Sequence, residues 1–148
     1  GRTASREVVE HVDSVGIIAL DEQDNLLLVN QFRYPAGENL LEIPAGCIES
    51  GESPDSTVIR ELREETGFEP GYLKKLGGFY LAPGYANEYM HIYIARELRY
   101  SPLVAEDTET IDLIKKTLPE VEEMIKSGQI KDCKTIAALF MFLNNSNH

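Results

Sequence analysis

Between residues 54 and 66 the apolar side chains Val58, Ile59 and Leu62 fall at helical spacing, in a chain otherwise dominated by short β-like runs. Pro54 suits a first helical turn, Ser53 suits the cap before it and Gly67 suits the stop, so a helix is predicted over residues 54–66. At about 100° per residue, Glu61, Glu64 and Glu65 fall within an arc of roughly 100°, beside an apolar stripe of Val58 and Leu62. Arg60 and Arg63 fall on the far side of the wheel. Such an acidic face works against the helix: two carboxylates about 5 Å apart repel by roughly 3 kcal/mol at an effective dielectric of 20. A solvated acidic face is one reading of it. The other must also cover Glu49 and Glu52 just before the helix: divalent cations turn that repulsion into binding, and hard Mg²⁺ or Mn²⁺ prefer carboxylate oxygens while still accepting phosphates.

The rest of the chain supplies strands around this helix. Residues 12–20 read as a strand ending in the turn-rich Asp21-Glu22-Gln23-Asp24-Asn25, and residues 26–32 resume as a second strand, which predicts a hairpin. Short strands are expected at residues 40–43 and 47–49, around a Pro44-Ala45-Gly46 turn. Residues 72–80, 89–97 and 110–114 are β-like, and helices follow at 119–126, ended by Gly128, and at 133–143. Strands pairing locally with helices between them, without regular βαβ alternation, favour an α+β sandwich over a doubly wound sheet. With no repeat, low-complexity tract or linker, 148 residues make one domain spanning 1–148.

Composition narrows the function. With 14 Lys+Arg against 25 Asp+Glu, the net charge is −11, and no basic cluster exists to hold nucleic acid. No apolar run approaches the roughly 18 residues of a membrane span, and no charged-then-apolar leader opens the chain. Cys47 and Cys133 have no metal-type spacing, which suits a reducing cytoplasm. A start at Gly1 rather than Met raises the expectation of an N-terminal piece either cut away or left out. If an acidic protein is to hold an anionic substrate, bridging cations are the natural means.

Gly46, five residues, Glu52, seven residues and then Arg60-Glu61-Leu62-Arg63-Glu64-Glu65-Thr66-Gly67-Phe68 resemble the Nudix box in full. The similarity extends to residues 29–35 (Val-Asn-Gln-Phe-Arg-Tyr-Pro) and 41–46 (Leu-Glu-Ile-Pro-Ala-Gly), which look like the segments preceding the box in the ADP-ribose pyrophosphatase subgroup. Pro83, in Leu81-Ala82-Pro83-Gly84 followed by Glu88, fits the same subgroup. The resemblance implies an α+β, Nudix-type α/β/α sandwich with a mixed β-sheet. It also implies divalent metal, usually Mg²⁺ with Mn²⁺ as a substitute, bound by Glu61, Glu64, Glu65 and the Ala45 carbonyl, with Glu52 supporting the site from its edge and Arg60 bracing a glutamate.

The implied activity is hydrolysis of the diphosphate in ADP-ribose or a related nucleoside diphosphate sugar. The alternatives are a GDP-sugar, a nucleoside triphosphate, or a non-catalytic nucleotide-binding module. Arg33 is a candidate phosphate clamp, against an ordinary surface arginine at a strand end. Glu88 would face the diphosphate or the metal, or is a loop carboxylate; Pro83 would fix a loop shaping the pocket, and Tyr80 or Tyr85 could stack on a base or simply pack. Because metal-bound glutamates accept protons poorly, the general base is expected among Glu106, Asp107 and Glu109, with Glu109 matching the subgroup best and Glu64 or Glu88 next in line. Gly46 and Gly67 are expected to serve the backbone, Val58 and Leu62 the core, and His91 a structural part, with no role for His11 or His148. Relatives in the subgroup generally work as homodimers, which makes residues 1–12 a candidate exchange arm or else a frayed terminus.

Overall fold

The computed structural model describes residues 3–103 and 111–145. In chain order it contains β1 (Ser14–Ala19), β2 (Leu26–Arg33), β3 (Glu38–Glu42), β4 (Ala45–Cys47), α1 (Pro54–Thr66), β5 (Phe68–Tyr80), β6 (Tyr89–Tyr100), β7 (Asp112–Lys116), α2 (Leu118–Lys126) and α3 (Cys133–Leu143). A four-stranded sheet runs β4-β1-β6-β5, with β1 and β6 parallel and the other pairs antiparallel. A three-stranded antiparallel sheet runs β3-β2-β7. The expected α+β architecture with a mixed sheet is therefore present.

One packing surface lies on each side of β1 and β6. Val15, Ile17 and Ala19 of β1 join Tyr93 and Ala95 of β6 under Val58 and Leu62 of α1. Ile18, Ile92 and Ile94 face the other way, toward β2, β3 and the apolar sides of α2 and α3. Val58 and Leu62 are completely buried, a burial stabilising by roughly 1.5–3 kcal/mol per side chain. They anchor α1 and leave its glutamates on the flank facing β4. Tyr93 Oη donates to Asp55 Oδ1 at 2.6 Å and pins the first turn of α1 to β6.

Two local expectations need correction. β1 and β2 do not form a hairpin; only a Leu20–Leu26 bridge joins them, and the strands part into different sheets. Both edges of β1 are taken, by β4 and β6, and every residue of it is buried. The turn itself is as expected, closed by Asp21 Oδ1 accepting from the amides of Gln23 and Asn25 at 3.0 and 2.9 Å. Nor do Ala45 and Gly46 form a turn. They lie within β4, opposite Gly16 and Val15 of β1, so the short strand sits two residues earlier than expected.

Candidate metal and diphosphate site

The helix boundaries come directly from capping. The Ser53 side chain accepts from the Ser56 amide while Ser56 Oγ accepts from the Ser53 amide, and Gly67 closes the helix at φ 79°, where an L side chain is strained. Between those ends α1 lays Glu61 and Glu65 against β4. The Ala45 amide donates to Glu65 Oε2 at 3.0 Å. A Cβ on Gly46 would stand 1.9 Å from Glu61 Oε1, so the Glu61 carboxylate occupies space that only glycine leaves open.

Arg60 does not point away, as the helical wheel suggests. Its long side chain folds back: Nε and Nη2 donate to Glu52 at 2.8 and 3.0 Å, and Nη1 donates to Glu61 Oε1 at 2.8 Å and Glu64 Oε2 at 3.3 Å. A further bond from Nη2 to the Cys47 carbonyl, 3.1 Å, ties this hub to the end of β4. Glu52 also accepts from Thr57 Oγ1 at 2.8 Å.

The charges respond accordingly. The Arg60 guanidinium holds the Glu52 carboxyl down to about 2. Burial pushes the Glu61 carboxyl up to about 7, against the pull of Arg60. Burial likewise pushes Glu65 up to about 8, with the Ala45 amide opposing and Glu61 adding to the rise. Among the described residues, no group of three or more His, Cys, Asp or Glu side chains stands ready to cage a metal ion. The donor set nonetheless fits one: three carboxylates within two helical turns, two of them strained by burial, one packed on bare backbone. A hard divalent cation is the ligand whose charge relieves that arrangement.

A second charged cluster flanks the first. Arg33, at the end of β2, sets its Nε and Nη2 on Glu42 at 2.8 and 2.7 Å. Glu42 is 1% exposed and also takes a bond from Lys134 Nζ, while Lys134 reaches Asp132 Oδ1 at 3.1 Å. Burial pushes the Glu42 carboxyl up, but the Arg33 fork and the Lys134 ammonium outweigh it and hold it below the usual carboxylate range. Arg33 and Lys134 both lower the cost of ionising Glu65, which places this cluster beside the acidic site. Sequence reasoning found Arg33 but missed Glu42 and Lys134. Their only signal is one charge inside an apolar strand, Leu40-Leu41-Glu42-Ile43, and one at the start of an apolar helix.

Glu88 accepts from Ser14 Oγ at 2.7 Å and lies 3.6 Å from His11 Nδ1. After burial, the charges of Glu88 and Glu61 together push the exposed Cys47 thiol up, so Glu88 stands on the same side as Glu61. Pro83 and Tyr85 line a cavity of about 340 Å³ with Val8, Tyr80 and Asn87. The segment before β1 runs along its edge: the Val9 amide donates to the Tyr85 carbonyl at 2.7 Å and the His11 amide to Asn87 Oδ1 at 2.8 Å. Tyr80 is occupied by an edge-to-face contact with Tyr89, 5.0 Å between centroids. His91 Nε2 lies 3.3 Å from Asp13 Oδ2, and its buried Nδ1 has no partner among the described residues. Glu106, Asp107 and Glu109 lie outside the described residues.

Comparison with known proteins assigns this constellation to a family. The NUDIX domain matches residues 10–139, a span that holds both charged clusters and Pro83. The chain belongs to the NUDIX family. It is 40% identical over 141 residues to the methanol dehydrogenase activator of Bacillus methanolicus, covering 94% of this chain and 76% of that protein. Similarity to the ADP-ribose pyrophosphatase of Bacillus subtilis (strain 168) is 36% identity with the same coverage. The GDP-mannose pyrophosphatase of Yersinia enterocolitica is 33% identical over 90% of this chain and 75% of its own length. Among solved structures, the crystal structure of an ADP compounds hydrolase superposes with a TM-score of 0.82 at 25% identity, over 88% of this chain and 70% of that one.

Proposed function

We propose that this NUDIX protein is a pyrophosphohydrolase that cleaves the diphosphate of ADP-ribose, or of a related nucleoside diphosphate sugar, to a nucleoside monophosphate and a sugar phosphate. The observation that carries this is the packing of Glu61 and Glu65 against the bare backbone of Gly46 and the Ala45 amide, with the Arg33 charge near enough to act on Glu65. The similarity to pyrophosphatases of ADP-ribose and GDP-mannose supports the substrate class.

Glu61, Glu64, Glu65 and the Ala45 carbonyl would hold Mg²⁺, with Mn²⁺ as a substitute and Glu52 holding Arg60 in its bracing position at the edge. A divalent cation in that position supplies electrostatic stabilisation of the charge that builds on the diphosphate as its bond breaks. Arg33 presents a permanent positive charge to the diphosphate, with its fork fixed by Glu42 so that little ordering remains when substrate arrives. Glu88, held by Ser14, faces the same region, and Pro83 and Tyr85 form the wall beyond the diphosphate. The attacking water gives its proton to a carboxylate from the stretch of sequence between β6 and β7, Glu109 first, then Glu106 or Asp107. We further propose a cytoplasmic homodimer whose partner is the nucleoside diphosphate sugar rather than nucleic acid or membrane, in keeping with its net charge of −11.

The test is a scan of ADP-ribose, GDP-mannose and ATP with Mg²⁺, resolving products by chromatography. AMP and ribose 5-phosphate from ADP-ribose, by a wide margin over ATP, are expected, with no turnover in excess chelator. A second substrate reading, a GDP-sugar, rests on the 33% identity to GDP-mannose pyrophosphatase, and GMP as the faster product would select it. Preference for ATP, or full activity in chelator, would overturn the proposal.

A further inference from the structure

We infer that Lys134 is a positioning residue for the diphosphate-binding side chain Arg33, acting through the buried carboxylate of Glu42. The inference rests on the proposed contact between Arg33 and the diphosphate. Glu42 lies on β3 opposite Val29 of β2, whereas Arg33 lies opposite Glu38, so the Arg33 fork reaches back along the sheet to find it. The Arg33 side chain is 38% exposed and Glu42 1%, which divides the pair into a part that meets ligand and a part that cannot.

Lys134 shares Glu42 Oε2 with Arg33 Nη2, yet its own side chain is only 11% exposed. It is therefore poorly placed to touch a substrate itself. Its chemistry is to keep Glu42 fully charged and fixed. A buried carboxylate facing a single cation would lose its only compensation whenever that cation turned toward a diphosphate. With Lys134 in place, Glu42 keeps a second cation, so Arg33 can share its charge with a ligand without stranding the anchor. The groups facing Glu42 are then Arg33 from β2 and Lys134 from α3, with Asp132 offsetting part of the lysine charge and Glu65 of α1 beyond them.

Simple fastening of α3 does not explain the lysine. That task is already done by Thr135 Oγ1, which accepts from the Ile43 amide at 2.9 Å, and by Asp132, which caps the helix through the Thr135 amide at 3.0 Å. Lys134 adds charge, not another staple.

The experiment compares Lys134→Met, Lys134→Gln, Glu42→Gln, the Glu42→Gln/Lys134→Met double variant and Arg33→Gln, in the full chain with saturating Mg²⁺ and ADP-ribose. Lys134→Met should raise KM at least roughly tenfold, the scale of one charge-assisted hydrogen bond, while kcat stays within about threefold. Glu42→Gln should do the same, and the double variant should be no worse than Glu42→Gln alone, because the lysine acts through that carboxylate. An unchanged KM with a lowered melting temperature, or a double variant whose KM effect is the product of the two single ones, would overturn the inference. Lys134→Gln retains a donor without charge and serves if the methionine variant fails to fold; failure of both to fold would make the lysine structural and also overturn it. If Arg33→Gln leaves KM unchanged, it is the diphosphate contact that fails. If Arg33→Gln raises KM and the Lys134 variants do not, only the role of Lys134 fails.

Discussion

At the scale of single residues, the acidic site depends on an atom that is absent. The sequence suggested that Gly46 serves the backbone, as Gly67 does with its positive φ, but Gly46 sits in an ordinary strand opposite Val15 and what it provides is room. Replacing Gly46 with alanine puts a methyl group 1.9 Å from Glu61 Oε1. The backbone of β4 cannot retreat, since it is paired with β1, so the carboxylate must leave. Glu61 also accepts from Arg60, which is simultaneously committed to Glu52 and Glu64, so the displacement disturbs all three acids. Gly46→Ala should therefore lower kcat by about 10²-fold or more, the usual consequence of misplacing a catalytic constellation by an ångström. Circular dichroism should remain that of the folded protein, because Val58 and Leu62 still anchor α1. Near-normal kcat in this variant would show that Glu61 need not lie against β4.

At the scale of elements, the stretch of sequence between β6 and β7 carries the residues proposed to take the proton from water. Glu106-Asp107-Thr108-Glu109 places three acids in four positions with no basic residue among them. Changing each acid in turn to its amide should single one out by a roughly 10²–10⁴-fold loss in kcat with a smaller change in KM, Glu109 being expected. If all three amides and the triple variant keep normal kcat, Glu64 or Glu88 takes the role. Which elements could be read from sequence follows from how local their causes are. The limits of α1 were legible because Ser53, Pro54 and Gly67 set them within a few residues, and α3 was legible over its whole length, 133–143, from its apolar run. The β1–β2 hairpin was not, since pairing depends on which strands compete for an edge, and β4 and β6 take both edges of β1. The box glutamates announced themselves as a motif. The cluster of Glu42 and Lys134 could not, because the two stand 92 positions apart and meet only once the chain is folded.

At the scale of the whole molecule, two properties are open to test, the proposed homodimer first. Val8, Val9 and Val12, each more than half exposed, stand in the segment before β1. Light scattering should give twice the chain mass, and a stable, fully active monomer would refute the homodimer. The second property is a dependence of stability on pH that a cation reverses. Burial raises Glu61 from 4.5 to about 7 and Glu65 from 4.5 to about 8, so the metal-free folded chain holds protons that the unfolded chain has already released. Stability must then fall as pH rises from about 5, and the loss is complete above about 8. Glu52 and Glu42, held low by Arg60, Arg33 and Lys134, act in the opposite sense, but their contributions are lost only as the pH falls below the ordinary carboxylate range. The window between about 5 and 8 is left to the two raised acids. A divalent cation needs both ionised, so it binds more tightly at the upper end and there offsets the repulsion within a chain of net charge −11. In chelator, the melting temperature should decline from pH 5.5 to 8, and Glu65→Gln should flatten that decline. Adding Mg²⁺ should raise the melting temperature more at pH 8 than at pH 6. A chelated protein whose melting temperature is level or rising across that range would show that Glu61 and Glu65 ionise freely in the fold, and that their burial does not shape the site.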